Sequence, residues 1–193
     1  VLFSSSNYLG LAEHPAVTKA AADALNRFGA GSGGSRLTTG TTDLHAQVEH
    51  DFARFLGYED SVFFSAGFMA NAGVLQALAG PGTLIVSDER NHASIIDGCR
   101  LAKAQGATVR VYSHRDPAHV DELLRGHSGE AIVVTDGLFS MDGTLAPVPE
   151  LLAVCHARGA ALMVDDAHGT GTLGATGRGI TEHFSLVDDH PDI

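Results

Sequence analysis

Ala161-Leu162-Met163-Val164-Asp165-Asp166-Ala167-His168-Gly169-Thr170-Gly171 sets a short apolar run against two acids, a histidine and a pair of glycines. The apolar part reads as a strand, and comparable runs occupy residues 61–65, 83–87, 108–112 and 131–135. Helical spacing fills the stretches between the later ones, at residues 95–104, 120–124 and 148–157. Apolar strands that alternate with helices need crossover connections. The expected fold is therefore α/β, with a mostly parallel central sheet covered by helices on both faces.

Ahead of these runs lie two helical patterns. Val17, Ala20, Ala21, Ala24 and Leu25 recur at helical spacing behind Pro15, a residue suited to a first helical turn. Leu44, Val48, Phe52 and Phe55 repeat the pattern, which Gly57 ends. No internal repeat, low-complexity tract or linker interrupts the chain, so one domain, or the larger part of one, is expected. In open α/β sheets ligands gather beyond the carboxyl ends of the strands. That rule singles out residues 65–68, 88–92, 136–140 and 165–168, where small and polar residues cluster.

Composition narrows the classes of partner. With 44% hydrophobic and 18% charged residues, 193 residues can bury one ordinary core. A formal net charge of −11 repels the phosphates of nucleic acid and anionic lipid, so neither is an expected partner. No apolar stretch approaches the roughly 18 residues of a membrane span. Cys99 and Cys155 are too few and isolated for a disulfide framework or a thiolate metal site, which makes a reducing cytoplasm the expected location. The start at Val1-Leu2-Phe3-Ser4-Ser5-Ser6 lacks the basic region of a secretory signal. It also lacks an initiator Met, and further sequence is expected upstream.

Each polar cluster has a plain structural reading beside a chemical one. Gly29-Ala30-Gly31-Ser32-Gly33-Gly34 fits a dinucleotide pattern, but a helix precedes it where a strand is required. A loop permitting close approach of backbone to a ligand or another chain suits it better. Ser65-Ala66-Gly67-Phe68-Met69-Ala70-Asn71 serves equally as an anion site at a helix start or as a simple turn. His92, in Asp88-Glu89-Arg90-Asn91-His92-Ala93-Ser94, can begin a helix with no chemical task. Asp136-Gly137-Leu138-Phe139-Ser140-Met141-Asp142-Gly143 can be an ordinary polar loop. Asp165, Asp166 and His168 suggest a metal site or a helix cap, yet no further His or Cys falls at ligand spacing, so no metal is expected.

Taken together and in order, these segments resemble the α-oxoamine synthases, fold-type-I pyridoxal-phosphate enzymes that join an amino acid to an acyl thioester and release carbon dioxide. The resemblance runs from Asn7-Tyr8-Leu9-Gly10-Leu11 through Gly33-Gly34-Ser35-Arg36 and the clusters above to Gly177-Arg178-Gly179. It implies pyridoxal 5'-phosphate as cofactor, amino acid and acyl-CoA as substrates, and a homodimer. Asp165 is implied as the partner of the pyridine nitrogen, and His92 as the imidazole over the ring. Ser140 and His168 would neighbour the phenolic oxygen, Gly67 and Phe68 the phosphate. Asp165, His92 and His168 are the implied catalytic set, and Asn7, Ser35 and Asp136 would face substrate. Ala167, the Gly169-Thr170-Gly171 continuation and residues 91–101 look most like the family branch that uses alanine and a pimeloyl thioester; the glycine C-acetyltransferase, serine palmitoyltransferase and 5-aminolevulinate synthase branches are the alternatives.

The sequence also departs from the family pattern. Ala66 stands where relatives often carry a hydroxyl, and Asp136 where many carry Glu. The upstream substrate arginine is absent. Lys19 and Lys103 are the only lysines, and neither lies in the motif that forms the Schiff base. That motif is expected beyond residue 193. The resemblance thus implies an N-terminal segment with a Gly-rich loop at 1–40, followed at 41–193 by part of the cofactor-binding large domain. These 193 residues alone are expected to be inactive; a truncated, non-catalytic chain is the alternative to an enzyme.

Overall fold

The computed structural model describes residues 4–186 and 189–193; the Val1-Leu2-Phe3 part of the N-terminal expectation lies outside them. The chain forms two compact units, Val1–Phe63 and Phe64–Ile193.

The first unit holds α1 (Pro15–Phe28) and α2 (Asp43–Leu56). His14 caps α1 by accepting from the Ala16 N–H, with Pro15 in the first turn. Gly57, at φ 91°, ends α2 in the left-handed conformation that favours glycine. The Gly-rich stretch between them is irregular. Its close approach is internal: a Cβ on Gly40 would lie 2.0 Å from the Gly34 carbonyl oxygen. The strand expected at residues 61–65 does not form. Its first residues bond to α2 instead, with Phe63 N donating to Glu49 Oε1 (2.8 Å) and Ser61 Oγ to the Glu49 carbonyl (2.7 Å). Strand propensity yields here to those local partners.

The second unit runs α3 (Gly67–Leu78), β1 (Leu84–Asp88), α4 (Ala93–Ala104), β2 (Thr108–Tyr112), α5 (Pro117–Leu124) and β3 (Ala131–Asp136). A small hairpin follows, β4 (Leu138–Phe139) and β5 (Thr144–Leu145), then α6 (Val148–Arg158), β6 (Ala161–Asp165) and α7 (Ile180–His183). The central strands pair in the order β2-β1-β3-β6, every pair parallel. Alternation along each strand divides the core. Leu84, Val86, Val133 and Leu162 meet α5 and α6 on one face, while Ile85, Ile132, Val134 and Met163 meet α3 and α4 on the other. Both faces are covered, as continuous apolar strands require.

Gly98 lets α4 lie close on α3, because a Cβ there would stand 2.9 Å from Leu75 Cδ1 and 3.0 Å from the Asn71 carbonyl oxygen. The chain runs from β1 outward to β2 and then returns to the other side of β1 as β3. A crevice opens at such a reversal, beyond the carboxyl ends of the strands. Three of these strands end on aspartates, Asp88, Asp136 and Asp165, the last two register partners.

Candidate functional site

A cavity of about 190 Å³ opens at this end of the sheet, lined by Gly67, Phe68, Asn71, His92, Ser94, Asp136, Ser140, Asp165 and His168 among others. The structure thus brings together seven of the nine residues singled out from sequence. Asn7 and Ser35 lie in the first unit, where Ser35 Oγ is 3.1 Å from Thr38 Oγ1.

Asp165 ends β6 with a donor on each carboxylate oxygen. Ala167 N donates to Oδ1 (3.1 Å) and Asn71 Nδ2 to Oδ2 (2.7 Å). Both oxygens thus have a donor, and the group lines the cavity. Asp136, beside it on β3, is only 8% exposed. Burial first, and then the negative charge of Asp165, push its carboxyl up to about 7; the His92 N–H that it accepts at 3.1 Å opposes the shift. Of the two adjacent carboxyls, Asp136 is the one placed to hold a proton.

The loop from β1 to α4 is fastened to β3 by Asn91, whose amide donates to Ser87 Oγ (2.9 Å) and the Val134 carbonyl (2.8 Å). Asn91 Oδ1 accepts from Asp136 N (2.8 Å). His92 is consequently held at the start of α4, where its Nδ1 accepts from Ser94 N (3.2 Å) and lies 2.7 Å from Ser94 Oγ. Ser140 arrives on the turn between β4 and β5. Arg90 Nη1 pairs there with Asp142 Oδ2 (2.5 Å), and His114 packs edge-on against Phe139 at 4.4 Å.

Gly67 and Phe68 open α3 behind Ala66, whose methyl makes no side-chain cap. The first N–H groups of a helix lack intrahelical acceptors, so this end can receive an anion. Asp166, next to Asp165, turns into the protein and not into the cavity. Its Oδ2 accepts from Ile180 N (2.9 Å) and Thr170 Oγ1 (3.0 Å). Burial raises the pKa of its carboxyl, against the effect of these two donors.

The raised carboxyls give a pH dependence with a definite sign. Asp136 has an ordinary value near 3.8 when unfolded and about 7 when folded, so between those limits the native state binds the extra proton. Stability is then fully present below about pH 4 and falls as pH rises toward 7, by at most about 1.4 kcal/mol per pH unit for one proton. Asp166 adds in the same direction. Asp136→Asn is expected to flatten this slope in urea unfolding of the cofactor-free protein between pH 5 and 8; an unchanged slope would remove Asp136 as its source.

Asn71, Ser94 and Asn91 belong to the site but had no role assigned from sequence. The signal was present, since Asn71 closes the segment Gly67–Asn71 and Ser94 the segment Asn91–Ser94. Their side chains touch other side chains rather than projecting freely, which sequence order does not display. Among the described residues, no group of three or more His, Cys, Asp or Glu is arranged to hold a metal.

A doubly covered parallel sheet, an aspartate at one strand end, a histidine at the neighbouring loop and an open helix start surround one cavity beyond the carboxyl ends of the strands, where α/β proteins bind their ligands. The chain belongs to the aminotransferase class I and II family, whose model matches residues 1–193. It is 51% identical over 191 residues to the 8-amino-7-oxononanoate synthase of Geobacter sulfurreducens, covering 98% of this chain and 48% of that protein. A serine palmitoyltransferase from S. paucimobilis, solved with PLP and myriocin bound, superposes with a TM-score of 0.88 at 37% identity, over 94% of this chain and 46% of that one. The 8-amino-7-oxononanoate synthase of Francisella tularensis gives 0.78 at 33% identity, over 95% and 50%. The chain spans about half the length, or less, of the curated relatives it matches.

Proposed function

We propose that this chain is part of an 8-amino-7-oxononanoate synthase, a pyridoxal-phosphate acyltransferase of biotin synthesis. The complete enzyme condenses L-alanine with a pimeloyl thioester, on coenzyme A or a carrier protein, with loss of carbon dioxide. The observation that carries this is the cavity that Asp165 and His92 share beside the open start of α3. Identity near 50% to synthases of that name supports the substrate pair.

The donor set fits the cofactor. Asp165 would hold the protonated pyridine nitrogen, a charge-assisted hydrogen bond worth about 1.5–3 kcal/mol. The N–H groups at Gly67 and Phe68 would receive the phosphate, and His92 would lie against the ring. Ser140 and His168 would adjoin the phenolic oxygen. Once bound, the cofactor supplies an electron sink for negative charge at the amino acid's α-carbon. The chain's own part is to orient that carbon, to keep the pyridine proton in place through Asp165, and to hold a second proton on Asp136. Asn7, Ser35 and Asp136 are assigned to substrate. Residues 41–193 serve as part of the cofactor domain and 1–40 as the Gly-rich segment. The enzyme works as a homodimer in the cytoplasm.

No lysine lines this cavity. Lys19 pairs with Asp23 on α1, and Lys103 lines a different cavity between α4 and β2. The anchoring amine therefore has to come from outside these 193 residues. A protein extended through the next lysine motif is expected to develop a bound-cofactor absorption band near the visible edge, while residues 1–193 alone turn nothing over. Absence of the band in the extended protein would end this assignment. A second assignment has its own support, because the structural match to serine palmitoyltransferase has the higher TM-score. A panel of amino acids and acyl thioesters separates them: alanine with pimeloyl thioester favours the first, serine with a long-chain thioester the second.

A further inference from the structure

Two side chains, Asn71 and Ser94, link Asp165 and His92 in the cavity. Asn71 is 6% exposed on α3 and donates from Nδ2 both to Asp165 Oδ2 (2.7 Å) and to Ser94 Oγ (2.9 Å). Ser94, 1% exposed in the first turn of α4, lies with its hydroxyl 2.7 Å from His92 Nδ1. The directions of these bonds are not free. A carboxylate only accepts, so Asn71 must turn its NH₂ toward Asp165, and the same NH₂ then meets the serine oxygen. Ser94 Oγ faces His92 Nδ1, and its hydrogen is the one that pair can share if Nδ1 already accepts from the backbone. The Ser94 backbone N–H points at that same nitrogen (3.2 Å). Nδ1 is left as an acceptor, which puts the proton of neutral imidazole on Nε2.

From this we infer that Asn71 and Ser94 are positioning residues that fix His92 as its Nε2–H tautomer, with the charge of Asp165 setting the direction of the relay. The two elements that carry them are held at close range by Gly98, which no larger residue can replace without displacing Leu75 or the backbone at Asn71. His92 thus has a defined donor edge, and its ring plane is set by a serine that is itself out of reach of solvent. The consequence for the reaction rests on the assignment of His92 and Asp165 under the proposed function; the tautomer itself does not.

The test uses the complete protein labelled with ¹⁵N-histidine, in which His92→Asn identifies the resonance. Above the pH of imidazole protonation, the wild-type side chain is expected to report Nε2–H almost exclusively. Asn71→Asp replaces the donor by an acceptor of the same shape, which draws the Ser94 hydrogen away from His92. Ser94→Ala deletes that hydrogen while keeping the backbone N–H. Each variant is expected to raise the Nδ1–H population about tenfold, the worth of one neutral hydrogen bond. Turnover is expected to fall about as much, with KM within about twofold. Should Asn71→Asp fail to fold, Ser94→Ala removes only one buried oxygen and still decides the matter. An unmoved tautomer in Ser94→Ala would overturn the relay whatever turnover does. A moved tautomer with unchanged turnover would uphold the relay and instead remove His92 from the proposed chemistry.

Discussion

Asp165→Asn is expected to cut turnover of the complete, cofactor-loaded enzyme by about 100-fold while leaving the cofactor bound. The carboxylate receives one donor on each oxygen, from Ala167 N and Asn71 Nδ2, and so has a lone pair on Oδ2 or Oδ1 to offer a cationic N–H in the cavity. An amide is neutral and presents one oxygen and one donor in the same outline. Its oxygen can keep only one of the two present contacts, and its NH₂ confronts the other donor. A charge-assisted bond of about 1.5–3 kcal/mol corresponds to roughly 10- to 150-fold, and the other groups proposed to hold the cofactor, at Gly67, Phe68, His92 and Ser140 of the cavity lining, are expected to retain it. Stopped-flow measurement of the α-proton exchange of alanine, beside the absorbance of bound cofactor, separates the two effects. Exchange at the wild-type rate would remove Asp165 from its assigned role.

Gly179→Ala is expected to destabilise the protein by about 3 kcal/mol or more, and to lower its melting temperature by about 10 °C at roughly 2–4 °C per kcal/mol for a chain of this size. Gly179 sits at φ 78° and ψ −151°, a region open to glycine almost alone and costing other residues about 1–3 kcal/mol. An added Cβ would also stand 1.8 Å from Asp166 Oδ2 and 3.1 Å from Thr170 N. Asp166 can retreat only by giving up Ile180 N and Thr170 Oγ1, and each lost hydrogen bond costs about 0.5–1.5 kcal/mol. Thermal unfolding followed by circular dichroism reads the loss. A melting temperature within about 2 °C of wild type would mean that the 166–180 segment relaxes without breaking this knot.

The two results bear on neighbouring acids with unlike duties. Composition and spacing give Asp165 and Asp166 as one acidic pair; the family resemblance singles out Asp165, and the surroundings show how the two differ. A strand alternates its side chains between faces, so at the end of β6 consecutive residues look in different directions. Asp165 meets α3 and the cavity; Asp166 meets the Gly169–Gly179 turn.

Most of the second unit could be traced from periodicity. The runs at 83–87, 108–112, 131–135 and 161–164 each became a strand within a residue or two, and the helices between them form where helical spacing placed them. Buried parallel strands are nearly continuous apolar runs, and that pattern survives in one dimension. The run at 61–65 carries the same pattern and is not a strand, because pairing requires a neighbour and its first residues bond to Glu49 instead. The hairpin of β4 and β5, two residues each, was too short to show a period.

The sequence by itself determined the alternation of strand and helix, and from it the parallel sheet and the end at which small and polar residues collect. Those properties follow from local spacing and from the need to bury apolar runs. Tertiary structure alone decided the contacts through which those polar residues act on one another. Asn71 and Asp165 are 94 positions apart, yet 2.7 Å separates their bonded atoms, and the raised carboxyl of Asp136 exists only because burial and a register partner's charge coincide there. Hydrogen bonding and desolvation act over a few ångströms in space, and distance along the chain carries no record of them.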